Sequence, residues 1–191
     1  MFNPGKYTES EVLVGLIDQQ LSAIRAAAYG LTEAQARETP CRSALSIGGL
    51  VKHVTHIMTG REAQRANPEA MPDQAGFEVF LSSFALGDGE TFGAALEAFD
   101  RARAAYLADV RATDPGADMT APPAPWDGVY TPTASVQRFA LGHHIEEFAR
   151  HAGHADIIRE QIDSADAASL LMAVEGRAGN DFVQPWTPAA S

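Results

Sequence analysis

Residues 143 to 160 read HHIEEFARHAGHADIIRE and hold four of the chain's six histidines together with three glutamates. On a helix, His143, Glu147, His151 and His154 recur at spacings of four, four and three, so they form one stripe pointing the same way. Glu147 and His151, one turn apart, bring a carboxylate oxygen and an imidazole nitrogen close enough to share an ion, as in zinc-binding helices with ligands at i and i+4. Two ligands do not close a site, and GLVKHVTHI offers a third. His53 follows Leu50 by three residues and precedes Ile57 by four, so it shares their apolar face and points inward. His56, with Lys52 and Thr59 one turn away, reads as a flank or surface group. Imidazole and carboxylate donors suit zinc, nickel or iron(II) better than calcium or magnesium, which prefer oxygen shells. Three protein ligands leave a position open for water or substrate, which separates a catalytic site from a structural one.

The competing reading is a solvated helix face, the usual setting of charged and histidine residues at helical spacing. Against it stand the density of the stripe, the second histidine-bearing segment, and the apolar residues Phe139, Ile145, Phe148, Ala152, Ala155 and Ile158 beside the stripe. His154 is placed behind the ligands as a supporting group, while His143 and His144 read either as supports or as surface histidines. Cys41 has no activating pattern around it and reads as a small, partly buried hydrophobe. Arg42, Arg61 and Arg138 could hold carboxylates of a bound thiol or substrate, but read first as surface residues.

The elements that must position these groups follow from periodicity. A cap and first-turn acids in TESE open a helix over residues 8 to 28, with Val12, Leu13, Leu16, Ile17, Leu21 and Ile24 on one side and Gly30 beyond its end. LTEAQARETP predicts a short helical turn stopped before Pro40. A second long helix runs from near Ser46 to about Arg65, where Pro68 and Pro72 break the chain. GFEVFLSSFALGDGE fits either a short helix or a buried loop. A third long helix spans residues 90 to 112. The connection from Asp114 to Thr133, with five prolines between them in TDPGADMTAPPAPWDGVYTPT counted as one stretch, predicts no regular structure and marks a functional or mobile segment. The fourth helix opens at Thr133 or Ser135 and reaches about Ile162. Residues 164–191 form a C-terminal tail, its last part extended on the surface with Phe182 and Trp186 as anchors. Four long helices with almost no period-2 pattern predict an all-α fold, an antiparallel four-helix bundle with long connections, whose sites lie between facing helices.

Composition narrows the partners. A chain of 191 residues with 46% hydrophobic content is read as one domain. Its formal charge of -11 disfavours nucleic acid. A single cysteine excludes a disulfide framework and a four-thiolate zinc site. No apolar run approaches the ~18 residues of a membrane span, and the N-terminal residues lack a signal pattern, so a cytoplasmic protein is expected. Apolar bundle faces often pair two chains, which makes a homodimer a possible state.

SIGGLVKHVTHI followed by EEFARHAGHADIIRE resembles the DinB/YfiT-like superfamily of metal-binding four-helix proteins over most of the chain. In that family L-x-x-H on an early helix supplies one histidine and H-x-x-x-H-x-G-[QH] on a late helix supplies two. His53 matches the first position, His151 the last, and Gly153-His154 the pair that follows, while Glu147 stands where many members have histidine. The His53, Glu147, His151 set is similar to that of the mycothiol-dependent maleylpyruvate isomerase and thiol S-transferase branch, whose members bind zinc and use a low-molecular-weight thiol. The resemblance implies a divalent metal, mycothiol or a similar thiol as cosubstrate, and an electrophilic substrate. The isomerases carry a further C-terminal domain, and the residues after the fourth helix fall short of the ~50 that a domain usually needs, so the isomerase substrate carries over least. Two other classes share these residues: a metal-dependent hydrolase that activates water, and a non-catalytic metal-binding stress-response protein.

Overall fold

The computed structural model describes residues 2–71 and 73–188. Among them are seven α-helices, a short 3-10 turn and one two-stranded sheet: α1 Glu9–Ala27, α2 Glu33–Arg37, α3 Ile47–Ala66, α4 Gln74–Ser82, α5 Phe92–Ala112, β1 Asp118–Ala121, β2 Thr133–Val136, α6 Gln137–Asp163 and α7 Ala167–Val174. The chain is mostly helical, in line with the expected all-α class. Helix starts are set by short polar side chains. Thr8 and Thr32 each complete a capping box with Glu11 and Gln35, and Ser46, Asp73, Thr91 and Asp166 accept first-turn amides of α3, α4, α5 and α7. α3 ends at Ala66, with Asn67 as its cap before Pro68; Pro72 lies outside the described residues.

The long helices α1, α3, α5 and α6 share one hydrophobic cluster, with Ile17, Leu21, Leu50, Val54, Phe99 and Phe148 all fully buried. Ion pairs fix their directions. Glu9 pairs with Arg138 near the starts of α1 and α6, and Arg159 donates to the Ala27 and Tyr29 carbonyls near their ends, so these two helices run parallel. Lys52 pairs with Glu90 beside the start of α5, and Arg61 with Asp109 near the other end, so α3 and α5 are parallel as well. Antiparallel packing therefore holds between the two pairs, as Arg25 with Asp100 and Asp18 with Arg103 show for α1 against α5, and not within each pair.

Three expectations need correction. Residues 118–121 and 133–136 form an antiparallel pair, Asp118 opposite Val136 and Ala121 opposite Thr133, where an irregular segment was predicted. The prolines do not forbid it, because Pro122 and Pro123 follow β1 and Pro132 precedes β2, outside the hydrogen-bonded ladder. That pairing holds Thr133 to Val136 extended and delays the start of α6 to Gln137. The tail contains α7, whose Leu170 is fully buried. Trp186 does anchor the following segment, stacking over the buried Arg159 guanidinium and edge-on to Tyr29, but Phe182 is 93% exposed and anchors nothing.

Residues 74–90 resolve into both of the readings their apolar run allowed. α4 is helical yet buries none of its residues, whereas Ser83 is buried and the following residues lie flush on α3. Two glycines make that approach possible. A Cβ on Gly49 would stand 2.0 Å from the Phe84 carbonyl oxygen, and one on Gly48 would stand 2.6 Å from Leu86 Cδ1. Lys52 Nζ donates to the Ala85 carbonyl at 3.0 Å and Arg37 to that of Leu86, fastening the same segment. A backbone carbonyl cannot step aside as a flexible side chain can. Gly49→Ala is therefore expected to cost about 1–3 kcal/mol by overpacking, read as a lower urea midpoint with the helical circular-dichroism signal retained.

Candidate metal centre

α3 and α6 cross with the second turn of α3 facing the middle of α6, and this brings His53, Glu147 and His151 together. One potential ligand atom from each lies within 4.8 Å of the others. His151 Nε2 is 3.0 Å from Glu147 Oε1, and His53 Nε2 is 3.9 Å from the same oxygen, beyond hydrogen-bond reach. The His53 and His151 side chains are 0% and 7% exposed, and Glu147 is 27% exposed, so the carboxylate is the member open to solvent. The hydrogen bond from His151 holds the Glu147 carboxyl well below the usual carboxylate range.

The orientation of His53 comes from a residue that the sequence reading did not single out. Ser83 Oγ donates to the Phe80 carbonyl at 2.6 Å, which spends its only proton. It must then accept from His53 Nδ1, 2.8 Å away. The His53 proton is thereby fixed on Nδ1, and Nε2 is left with a bare lone pair aimed toward Glu147. Among the described residues, the buried side-chain nitrogens and oxygens without a partner are His53 Nε2, His151 Nδ1 and His154 Nδ1. Two of them belong to this cluster, and the third lies beside it: His154 packs its ring edgewise on His151 at 5.7 Å.

The remaining histidines separate by helical phase. A four-residue step turns about 400°, so each step along the stripe drifts by about 40°. His143 has drifted about 80° from His151; it is 59% exposed and pairs with Glu146. Phe139, expected in the apolar flank, is exposed for the same reason. His144 turns inward instead, stacking on Phe148 with its Nδ1 2.5 Å from the Tyr106 hydroxyl. Burial, followed by the Arg61 charge, pushes its pKa down to about 4, and burial pushes the Tyr106 phenol up. Both partners of this hydrogen bond are therefore neutral near pH 7. His56, half-buried, flanks the site with its ring 6.4 Å from Phe80.

Arg61 is not a surface residue. It is 6% exposed, donating to Asp109 at 2.8 Å and Gln137 at 3.2 Å. Arg138 is held by Glu9 at the surface, Arg42 is exposed, and Cys41 is half-buried as expected.

A family model described as Mycothiol-S-transferase matches residues 12–164, which is most of the chain and contains every residue of the cluster. The chain belongs to the mycothiol-S-transferase family. No curated protein and no solved structure matches it. The family match bears out the resemblance to a mycothiol-related branch.

Two outcomes are expected. Ser83→Ala should weaken binding of zinc roughly 10–100-fold, the usual consequence of losing a group that orients a ligand, measured by chelator competition with helicity unchanged. Separately, the unfolded chain takes up a proton at His144 near pH 6.5 and the folded one only near pH 4, so stability falls as pH drops through that window. His144→Gln should reduce this slope in urea midpoints measured from pH 7 to pH 4.

Proposed function

We propose that the protein is a divalent-metal-dependent thiol S-transferase that joins mycothiol, or a similar low-molecular-weight thiol, to an electrophilic substrate. His53, Glu147 and His151 would hold the metal. One observation carries the reading: in a chain of a mycothiol-S-transferase family, two imidazoles and a carboxylate converge, and the buried His53 Nε2 beside the carboxylate has no partner. The donor set fits zinc best, with nickel or iron as alternatives. Ligands at ~2.0–2.2 Å from one ion stand ~3–4 Å apart, so the group needs only a small side-chain adjustment.

When bound, a divalent cation supplies Lewis acidity that lowers the pKa of a coordinated thiol. The chain's own residues set the conditions. Glu147 contributes one negative charge where an imidazole would contribute none, so the thiol is acidified less than by three histidines. Ser83 keeps the His53 proton on Nδ1, and Phe84, stacked at 3.7 Å on the His53 ring, keeps water from that side. The four long helices are read here as a DinB-like bundle forming one domain, and the protein as cytoplasmic. Its single cysteine fits a reducing compartment, and no described helix is long and apolar enough to cross a membrane.

Elemental analysis of the purified protein should find zinc, nickel or iron at about one per chain, and His151→Ala should lose it while helicity persists. Metal-loaded protein should consume an alkyl bromide only with mycothiol present. Turnover without thiol would make it a hydrolase; bound metal without turnover would favour a binding protein; absence of metal from protein grown in metal-replete medium would remove the site.

A further inference from the structure

α4 lies beside the centre and differs in kind from the other helices. It buries no residue, and Phe77, Val79 and Leu81 are 50%, 54% and 53% exposed. Its one charged side chain, Glu78, is engaged by Gln74. Exposed apolar residues are ordinary when scattered, but Phe77, Phe80 and Leu81, three and four residues apart, share one face of the helix.

They are also continuous with the candidate ligand. The Phe77 and Phe80 rings lie 6.5 Å apart and nearly parallel, Phe80 meets Phe84 edge-on at 5.4 Å, and Phe84 stacks on His53 at 3.7 Å. Phe80 also meets His53 directly, ring edge to face, at 5.3 Å. A ladder of aromatic rings thus leads from solvent to the imidazole whose Nε2 lacks a partner.

We propose that the α4 face, Phe77, Phe80 and Leu81 with Phe84 at its inner end, is the binding surface for an uncharged, apolar electrophile, whose reacting carbon it delivers to the side of His53. The inference rests on the thiol-transfer reading for the site's chemistry. A sugar-bearing thiol such as mycothiol is polar and gains little from a phenylalanine ladder, so this surface complements the other reactant. Anionic electrophiles find no cation on α4, and they meet a chain with a formal charge of -11.

Two measurements test this. Metal-loaded protein is assayed with mycothiol and alkyl bromides from ethyl to octyl. In each reaction a sulfur–carbon bond forms, the carbon–bromine bond breaks with its electron pair leaving on bromide, and the thiol proton passes to solvent. Each methylene fully withdrawn from water is worth up to about fourfold in binding. kcat/KM is therefore expected to rise roughly tenfold or more from ethyl to octyl bromide. The double variant Phe77→Ser, Leu81→Ser should flatten that series, with helicity and bound metal unchanged. The second measurement needs no turnover. Fluorescence of N-phenylnaphthylamine reports binding to the same protein, octanol should displace the dye where ethanol does not, and the double variant should bind it roughly tenfold more weakly or worse. Dye binding that is lost in the variant, with no turnover of any bromide, would retire the transfer reaction and keep the apolar surface. A rate independent of chain length, or dye binding that the variant leaves intact, overturns the proposal. So does light scattering that shows a wild-type dimer becoming a monomer in the variant, which would assign the face to a second copy.

Discussion

The parallel course of α3 and α5 is the constraint on which the candidate centre depends. α3 is 20 residues long, so its end lies about 30 Å from its start, and the chain must travel that distance back before α5 can begin beside it. Residues 67–91 make the return. Fully extended they would span roughly 80 Å, far more than needed, and the excess is taken up by α4 and by the turn that seats Ser83 over His53. The return path is pressed on α3 by two missing Cβ atoms at Gly48 and Gly49 and held there by Lys52 and Arg37. A connection that topology requires is thus also the piece that sets the tautomer of a ligand.

The energetics of the site run against those of its surroundings. The core of α1, α3, α5 and α6 is apolar, and most buried polar groups among the described residues have partners. Arg159 is fully buried, yet Asp163, two carbonyls and the Trp186 ring satisfy it. A buried polar atom without a partner costs on the order of 1–3 kcal/mol; two such nitrogens belong to His53 and His151 and a third to neighbouring His154. A chain that satisfies a buried guanidinium so fully on one side of α6 has the means to satisfy imidazoles on the other. Local violations in an otherwise consistent core are where function is expected to reside.

Much of the frame was legible in the sequence because it depends on period and on capping chemistry, which are local. The apolar spacing of residues 12 to 24, the Thr8 box and the three side chains at 53, 147 and 151 needed no knowledge of the tertiary structure. What escaped did so for physical reasons. A four-residue stripe drifts by about 40° at each step, so His143 left the cluster while His144, off the stripe by count, turned inward against Tyr106. Ser83 lies 30 residues from His53, and its role arises only from how the return path lands on α3. Strands β1 and β2 have four residues each and are joined by a proline-rich stretch, too short for alternation to stand out. Arg61 reads as exposed until Asp109 and Gln137 arrive from two other elements.

The centre has two unlike sides, and the difference matters more than either alone. On one side, Phe80 and Phe84 cover His53 with rings that neither donate to nor solvate a lone pair. On the other, the buried Tyr106 and Arg61 and the half-buried His144 and Asp109 form a polar array along α3, α5 and α6. Charges near the aromatic side act through a medium of low dielectric constant, where opposite charges attract more strongly than they do in water. On the polar side the Arg61 guanidinium opposes a positive charge on His144, adding to burial in lowering its pKa. Asp109 tempers that opposition: burial acts to raise its pKa, but hydrogen bonds from Arg65 and Arg61 outweigh burial and keep it ionised beside the guanidinium. Asp109 serves two guanidiniums, so the polar side keeps a surplus of positive charge, while Glu147 is the half-buried carboxylate between two imidazoles.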